Sequence, residues 1–184
     1  MSGAASTFNT PFGTFDLRRY PPRPSEPLRA WCAADELLLE EVKRLAVASE
    51  RVLVVNDEQG ALCTALQPRA LWTDSAVAAL ALEANLRRNK CGDVTTIWST
   101  EPPPANATLA VLRVPKQLPY LEYQLAQLAA TLPAGATVLA AGMDKHLSPR
   151  TAALLEQYIG PTERHRGRRK ARLFSAALRT TPHA

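Results

Sequence analysis

Apolar and polar positions alternate along this chain with two periods, one helical and one strand-like. From Leu28 to about Ala48, Leu28, Trp31, Leu38, Val42 and Leu45 fall at helical spacing. Asp35, Glu36, Glu40 and Glu41 lie mostly on the opposite side, which predicts an amphipathic helix. Val52-Leu53-Val54-Val55 is a short β-branched run suited to a strand buried on both faces. A short helix is then predicted over Gln59–Leu66, a strand over Ala70–Trp72 and a helix from Ser75 to about Arg88. Further strands are predicted over Val94–Trp98, Leu109–Val114, Ala136–Ala141 and Ala171–Leu178. Helices start at Pro119 and Pro149, since proline suits a first helical turn. Residues 1–27 read as irregular, because Pro11, Pro21, Pro22, Pro24 and Pro27 block a long helix. Residues 28–180 then form one domain of α/β class, with a doubly wound, mostly parallel sheet and right-handed crossovers.

Composition narrows the class. The 184 residues are 46% hydrophobic, long enough to bury roughly 70% of the unfolded surface in one core. No apolar run approaches the ~20 residues that span a bilayer, and residues 1–20 lack the apolar stretch of a signal peptide. Cys32, Cys63 and Cys91 are widely spaced, which argues against a disulfide framework or a zinc site. His146, His165 and His183 lack ligand spacing, so no metal is expected. A reduced, cytoplasmic protein without a membrane partner is the expectation.

Charge is unevenly placed. The net charge is +5, yet residues 161–184 hold seven basic residues against Glu163 alone, while residues 1–160 are almost neutral. Arg164, Arg166, Arg168, Arg169, Lys170 and Arg172 make a local cluster that would attract phosphates, with RNA as the natural partner. A solvated turn fits the same residues. Arg113, Lys116 and Lys145 stand near the carboxyl ends of predicted strands and are further RNA-contact candidates.

In a doubly wound sheet a ligand sits beyond the carboxyl ends of the strands, at the switch point. The first strand-to-helix turn there reads Asn56-Asp57-Glu58-Gln59-Gly60-Ala61. A phosphate cradle needs several glycines, and only Gly60 is present; Asp57 and Glu58 would repel a pyrophosphate. Asp74 stands where an acid would bond a cofactor's ribose hydroxyls, and it is equally an N-cap for the helix at Ser75. Asn56, Asp57, Gly60 and Asp74 thus outline a vestigial cofactor pocket, and no catalytic residue is assigned. Cys63 reads as core.

Several segments carry a family resemblance. Leu28-Arg29-Ala30-Trp31-Cys32-Ala33-Ala34-Asp35-Glu36-Leu37-Leu38, Val52 to Asp57 with Gly60-Ala61-Leu62, and Asp74-Ser75 resemble the ribosomal RNA large-subunit methyltransferase G family. So do Glu83-Ala84-Asn85-Leu86 with Asn89, Arg113-Val114-Pro115-Lys116, Ile159-Gly160-Pro161 and Lys170-Ala171-Arg172-Leu173. The resemblance implies a tandem of two Rossmann-like, class I methyltransferase-like domains. The C-terminal copy would hold S-adenosylmethionine and an Asn-Pro-Pro-Phe motif, and would methylate N2 of a guanine in large-subunit ribosomal RNA. This chain is similar to the N-terminal, degenerate copy, which would help recognise RNA and support its catalytic partner domain. Arg113-Val114-Pro115-Lys116 stands where Asn-Pro-Pro-Phe would be. The implied reading is a domain with no cofactor of its own, its catalytic half absent from the chain. A stand-alone methyltransferase and a purely structural docking module are the alternatives.

Overall fold

The computed structural model describes residues 5–179; Thr180, the expected end of the domain, and His183 lie outside that range. The described residues form nine strands and five helices, and from β3 onward every element except β8 follows the expected order. These are β1 (Thr7–Thr10), β2 (Gly13–Asp16), α1 (Ala33–Leu45), β3 (Val52–Val55), α2 (Ala61–Leu66), β4 (Ala70–Thr73) and α3 (Ala76–Arg88). They continue with β5 (Thr95–Trp98), β6 (Leu109–Arg113), α4 (Leu118–Thr131), β7 (Thr137–Met143), α5 (Thr151–Tyr158), β8 (Thr162–Arg164) and β9 (Ala171–Ala177).

Seven strands form one sheet in the order β5-β4-β3-β6-β7-β9-β8. Strands β3 to β7 pair in parallel, and β9 runs antiparallel to both β7 and β8. Along β3 the side chains alternate between two cores. Val52 and Val54 join Leu38, Leu62 and Leu82 of α1, α2 and α3, whereas Leu53 and Val55 join Leu121, Leu125 and Leu155 of α4 and α5. Each such side chain contributes about 1.5–3 kcal/mol by leaving water. The chain leaves β3 toward β4 and later crosses back to β6, so the switch point lies between β3 and β6.

The amino-terminal segment departs from expectation. Within the stretch expected to be irregular, β1 and β2 form an antiparallel hairpin. Its turn holds Pro11 and Gly13, with the Thr10 hydroxyl donating to the Gly13 carbonyl at 2.8 Å. The hairpin sends Phe8 into the core, stacked on Trp31 with ring centroids 4.7 Å apart. That contact explains a second difference. Helix α1 begins at Ala33 rather than Leu28: the Asp35 carboxylate accepts from the Cys32 amide at 2.9 Å and fixes the start. Leu28, outside the helix, is 59% exposed. A third difference is β8, a three-residue edge strand that the basic stretch concealed. Gly160 admits it, because a Cβ there would lie 2.1 Å from the Ala177 carbonyl oxygen. Cys63 is fully buried, as expected.

Candidate functional site

The carboxyl ends of β3, β4 and β6 enclose a cleft of about 730 Å³, lined by Asn56, Asp57, Asp74, Arg113, Lys116 and Tyr120 among others. Three of the four expected pocket residues therefore meet there. Gly60 does not line it. It sits at the start of α2 with a φ of +85°, and a Cβ would lie 2.9 Å from the Leu82 Cα, so this glycine serves the close packing of α2 on α3.

Asn56 is held in the left-handed region, φ 65°. Its amide donates to the Arg113 carbonyl at 3.1 Å and exchanges two 2.9 Å hydrogen bonds with the Gln124 amide, so it is fully engaged within the fold. Asp57 is buried, and its two oxygens accept from the Leu62 and Cys63 amides at 3.2 and 2.8 Å. A carboxylate of the chain itself thus occupies the N-terminus of α2, the place where a doubly wound fold presents free amides to an anion. Burial, and then the charge of Asp35, pushes the Asp57 carboxyl up to about 6.

Asp74 is not the cap of α3. Ser75 fills that role, its hydroxyl accepting from the Ala78 amide at 3.0 Å, because it stands one residue nearer the helix than the acid does. Asp74 remains exposed on the cleft wall, and its charge helps to raise the Tyr120 phenol, which burial raises more.

Arg113 also differs from expectation. Its guanidinium donates to Asp35 at 2.7 Å, with only 12% and 4% of the two side chains exposed, so it is not a free cation for phosphate. Burial works against its charge, but Asp35, Cys32 and Glu58 outweigh it and hold the guanidinium above its ordinary value. Lys116 stays on the cleft wall, and Lys145 lies in the short 3-10 turn Asp144–His146 after β7. The His146 imidazole is pushed below its ordinary value, by desolvation first and then by the charges of Lys116 and Lys145.

The basic cluster forms the β8–β9 connection. Arg168 and Ala171 bond reciprocally at 3.1 and 2.8 Å, and Arg169 and Lys170 between them have φ of 46° and 65°. Positive φ at both central residues is the two-residue hairpin turn that favours Asn-Gly. Placing two long cations there costs about 1 kcal/mol each. Three of the six cations have acidic partners. Arg168 forks onto Glu40, Arg169 reaches Glu36 at 3.2 Å and Arg172 reaches Asp144 at 2.8 Å. Arg164 lies over the Phe174 ring, 5.9 Å from its centroid. Arg166 and Lys170 have no ion pair among the described residues.

Sequence reasoning missed a polar clasp on α3. Asn89 exchanges two 2.8 Å hydrogen bonds with the backbone of Asp16, and Asn85 exchanges two of 3.0 Å with Arg18. Asn85 also donates to the Gln59 carbonyl at 2.7 Å, and the Gln59 amide oxygen accepts from Tyr20 at 2.8 Å. The two asparagines, one helical turn apart, act as a strand edge for residues 16–20 beside the cleft. Among the described residues no cluster of His, Cys, Asp or Glu is placed to hold a metal, and no helix is long and apolar enough to cross a membrane.

Residues 5–180 match the family model described as the RLMG N-terminal domain. The ribosomal RNA large subunit methyltransferase G of Pseudomonas syringae pv. syringae is 42% identical over 185 residues, covering 95% of this chain and 50% of that protein. The protein of the same name from Stutzerimonas stutzeri is 43% identical, covering 91% and 46%. Among solved structures, a T. thermophilus 16S rRNA N2 guanine methyltransferase, in complex with AdoMet and guanosine, superposes with a TM-score of 0.62 at 16% identity. That match covers 96% of this chain and 46% of the other. A tRNA methyltransferase from Aquifex aeolicus superposes with a TM-score of 0.63 at 17% identity, covering 90% and 73%. The sheet order and helical layers are thus those of the class I methyltransferase fold, and the chain spans about half the length of the curated relatives it matches.

Proposed function

Since this chain belongs to the RLMG N-terminal domain family, we propose that it is the non-catalytic half of an S-adenosylmethionine-dependent ribosomal RNA guanine-N2 methyltransferase. In this reading it contacts large-subunit ribosomal RNA in the cytoplasm, supports a C-terminal catalytic domain and takes no cofactor itself. The observation that carries it is the Asp57 carboxylate on the N-terminus of α2. An anionic group brought to that helix end would meet a buried acid with Glu58 beside it, and the locked Asn56 amide could not turn to receive it. In this reading the α2 amides, already taken by Asp57, offer no place for the carboxylate of S-adenosylmethionine, and no transfer step is derived through it. RNA contact is supported by a turn that accepts strained φ values in order to carry Arg169 and Lys170.

Two measurements test this reading. Calorimetric titration of the folded chain with S-adenosylmethionine is expected to give no heat; micromolar one-to-one binding would favour an active methyltransferase. Binding of a ribosomal RNA fragment is expected to weaken broadly across sequences when Arg168, Arg169 and Lys170 become Glu. The slope of log affinity against log salt should fall by roughly 0.7–0.9 per lost phosphate contact. The variant Arg169→Asn with Lys170→Gly removes charge while suiting the turn, so its loss of affinity cannot be blamed on misfolding. A purely structural module is the second reading, favoured by the ion pairs of Arg168, Arg169 and Arg172. Unchanged RNA affinity in both variants would establish it over the first.

A further inference from the structure

The switch-point cleft is electrically two-sided. Asp74 and Glu58 stand on its β3–β4 side, while Lys116 stands beyond β6. His146 and Lys145 follow β7, close enough to that side for the charges of Lys116, Lys145 and Glu58 all to bear on the imidazole. A uniformly anionic ligand would be repelled by one wall and a cationic ligand by the other. A group carrying negative charge at one end and hydroxyl donors at the other satisfies both.

The cationic wall is continuous with the β8–β9 turn. The Asp144 amide donates to the Lys170 carbonyl at 2.7 Å, and the Arg172 guanidinium donates to the Asp144 carboxylate at 2.8 Å. In the sheet, Met143 pairs with Ala171 and Gly142 with Arg172. The turn bearing Lys145 and His146 is therefore fastened to the base of the basic hairpin. Lys170 is thus joined through the backbone to the turn of Lys145 and His146, the charge of Lys116 reaches that imidazole, and the acid between them, Asp144, is already matched by Arg172. At the far side of the cleft stands an aromatic pair, Tyr120 on the lining and Tyr123 beyond it, with ring centroids 6.4 Å apart. A cationic track ending at aromatic rings is the arrangement by which proteins hold single-stranded nucleic acid.

We infer that the cleft seats one unstacked ribonucleotide of an RNA strand whose phosphates arrive along Lys170, Lys145 and Lys116, with the ribose toward Asp74 and the base toward Tyr120. This inference rests on the RNA-contacting reading above and adds a specific seat to it. Asp74 supplies what a phosphate track cannot. Its exposed carboxylate accepts the ribose 2′-hydroxyl, the group that distinguishes RNA from DNA. The cleft carries no strong anion site at α2, since Asp57 fills it, so a nucleotide enters with its phosphate on the lysine side only.

The test compares a fluorescein-labelled single-stranded RNA with DNA of the same sequence, on the 184-residue chain and on Asp74→Asn. The wild-type chain is expected to prefer RNA. Asp74→Asn should cut that preference about tenfold, the worth of one hydrogen bond to a charged acceptor, while leaving the salt slope unchanged. Lys116→Glu and Lys145→Glu should weaken RNA and DNA alike and lower the slope by about 0.7 each. Asp74 is exposed, so an unchanged melting temperature is expected to accompany the effect. An unaltered RNA-to-DNA ratio in Asp74→Asn overturns the ribonucleotide seat while leaving RNA contact by the hairpin intact. Failure of the wild-type chain to bind any RNA overturns both. A free nucleoside monophosphate that binds more tightly than the RNA would assign the cleft to a free nucleotide and overturn the seat.

Discussion

Replacing Asp57 by Asn should change how the stability of this chain depends on pH. The native carboxylate is buried, accepts two amides at the start of α2 and feels the charge of Asp35; its pKa stands near 6 against an ordinary 3.8. Burial dominates, so ionising Asp57 in the fold costs about 3 kcal/mol more than in the unfolded chain. Between those two values the folded protein binds more protons than the unfolded one. The stabilisation from protonated Asp57 is therefore complete below about pH 3.8 and disappears as pH rises through about 6. About 1.4 kcal/mol of it should appear between pH 7.5 and pH 5. Asn carries no charge and removes this dependence, at the cost of one of the two capping hydrogen bonds, about 1 kcal/mol at any pH. Glu41, which Arg44 lowers, titrates below this window with the opposite sign, and any such contribution cancels in the difference between variant and wild type, which is the informative quantity. Urea midpoints at pH 7.5 and pH 5, at constant m, measure it. The variant should lose about 1.4 kcal/mol relative to wild type on going to pH 5. A difference that stays constant between the two pH values would refute the burial argument.

Two further outcomes follow from the contacts. Asn85→Ala removes four hydrogen bonds and strands the Gln59 carbonyl and the Arg18 amide, so it should cost about 2–4 kcal/mol in urea denaturation. Amide exchange at Arg18 should quicken more than exchange in β3. Glu36→Gln with Glu40→Gln releases Arg168 and Arg169 from their partners; RNA affinity should rise, and the salt slope should steepen by about 0.7 for each arginine that gains a phosphate. A slope equal to that of the wild type would mean the freed arginines touch no RNA.

The alternation of buried strands and helices was readable because β3, β4, β6 and β7 are apolar on both faces, which leaves a run rather than a faint alternation. The hairpin was not readable because its apolar anchors, Phe8, Phe12 and Phe15, are few and do not alternate with a two-residue period. What holds the segment after it are Asn85 and Asn89, some seventy residues away along the chain. Trp31 misled for a related reason: its spacing suits a helix, while its partner is a strand residue. At the cleft, Asp57 and Asp74 were singled out by type and position, yet Ser75 and not Asp74 caps α3, since adjacent residues of equal capping ability cannot be separated without backbone geometry. Arg113 counted as a free cation because its partner Asp35 lies 78 positions away.

Helix α1 links the cleft to the basic hairpin. In its first turn Asp35 turns inward to Arg113 at the end of β6, while Glu36, and Glu40 one turn on, face outward to Arg169 and Arg168. These two sets respond differently to salt. The inner pair is almost fully buried and is little screened; of the outer pairs Arg168–Glu40 is exposed, while Glu36 is half-buried beneath an exposed Arg169, and ions within a Debye length of about 8–10 Å weaken the exposed pair most. Raising ionic strength therefore loosens the hairpin's grip on α1 and its attraction for phosphate together, while the cleft keeps its shape. In the proposed RNA-contacting reading, the hairpin's own ion pairs should lower its affinity at low salt, where RNA would have to displace Glu36 and Glu40, and matter less at high salt, where they are screened. If the hairpin contacts RNA as proposed, the salt dependence of the wild-type chain should for that reason be shallower than its six cations would give alone, with the missing slope held by α1.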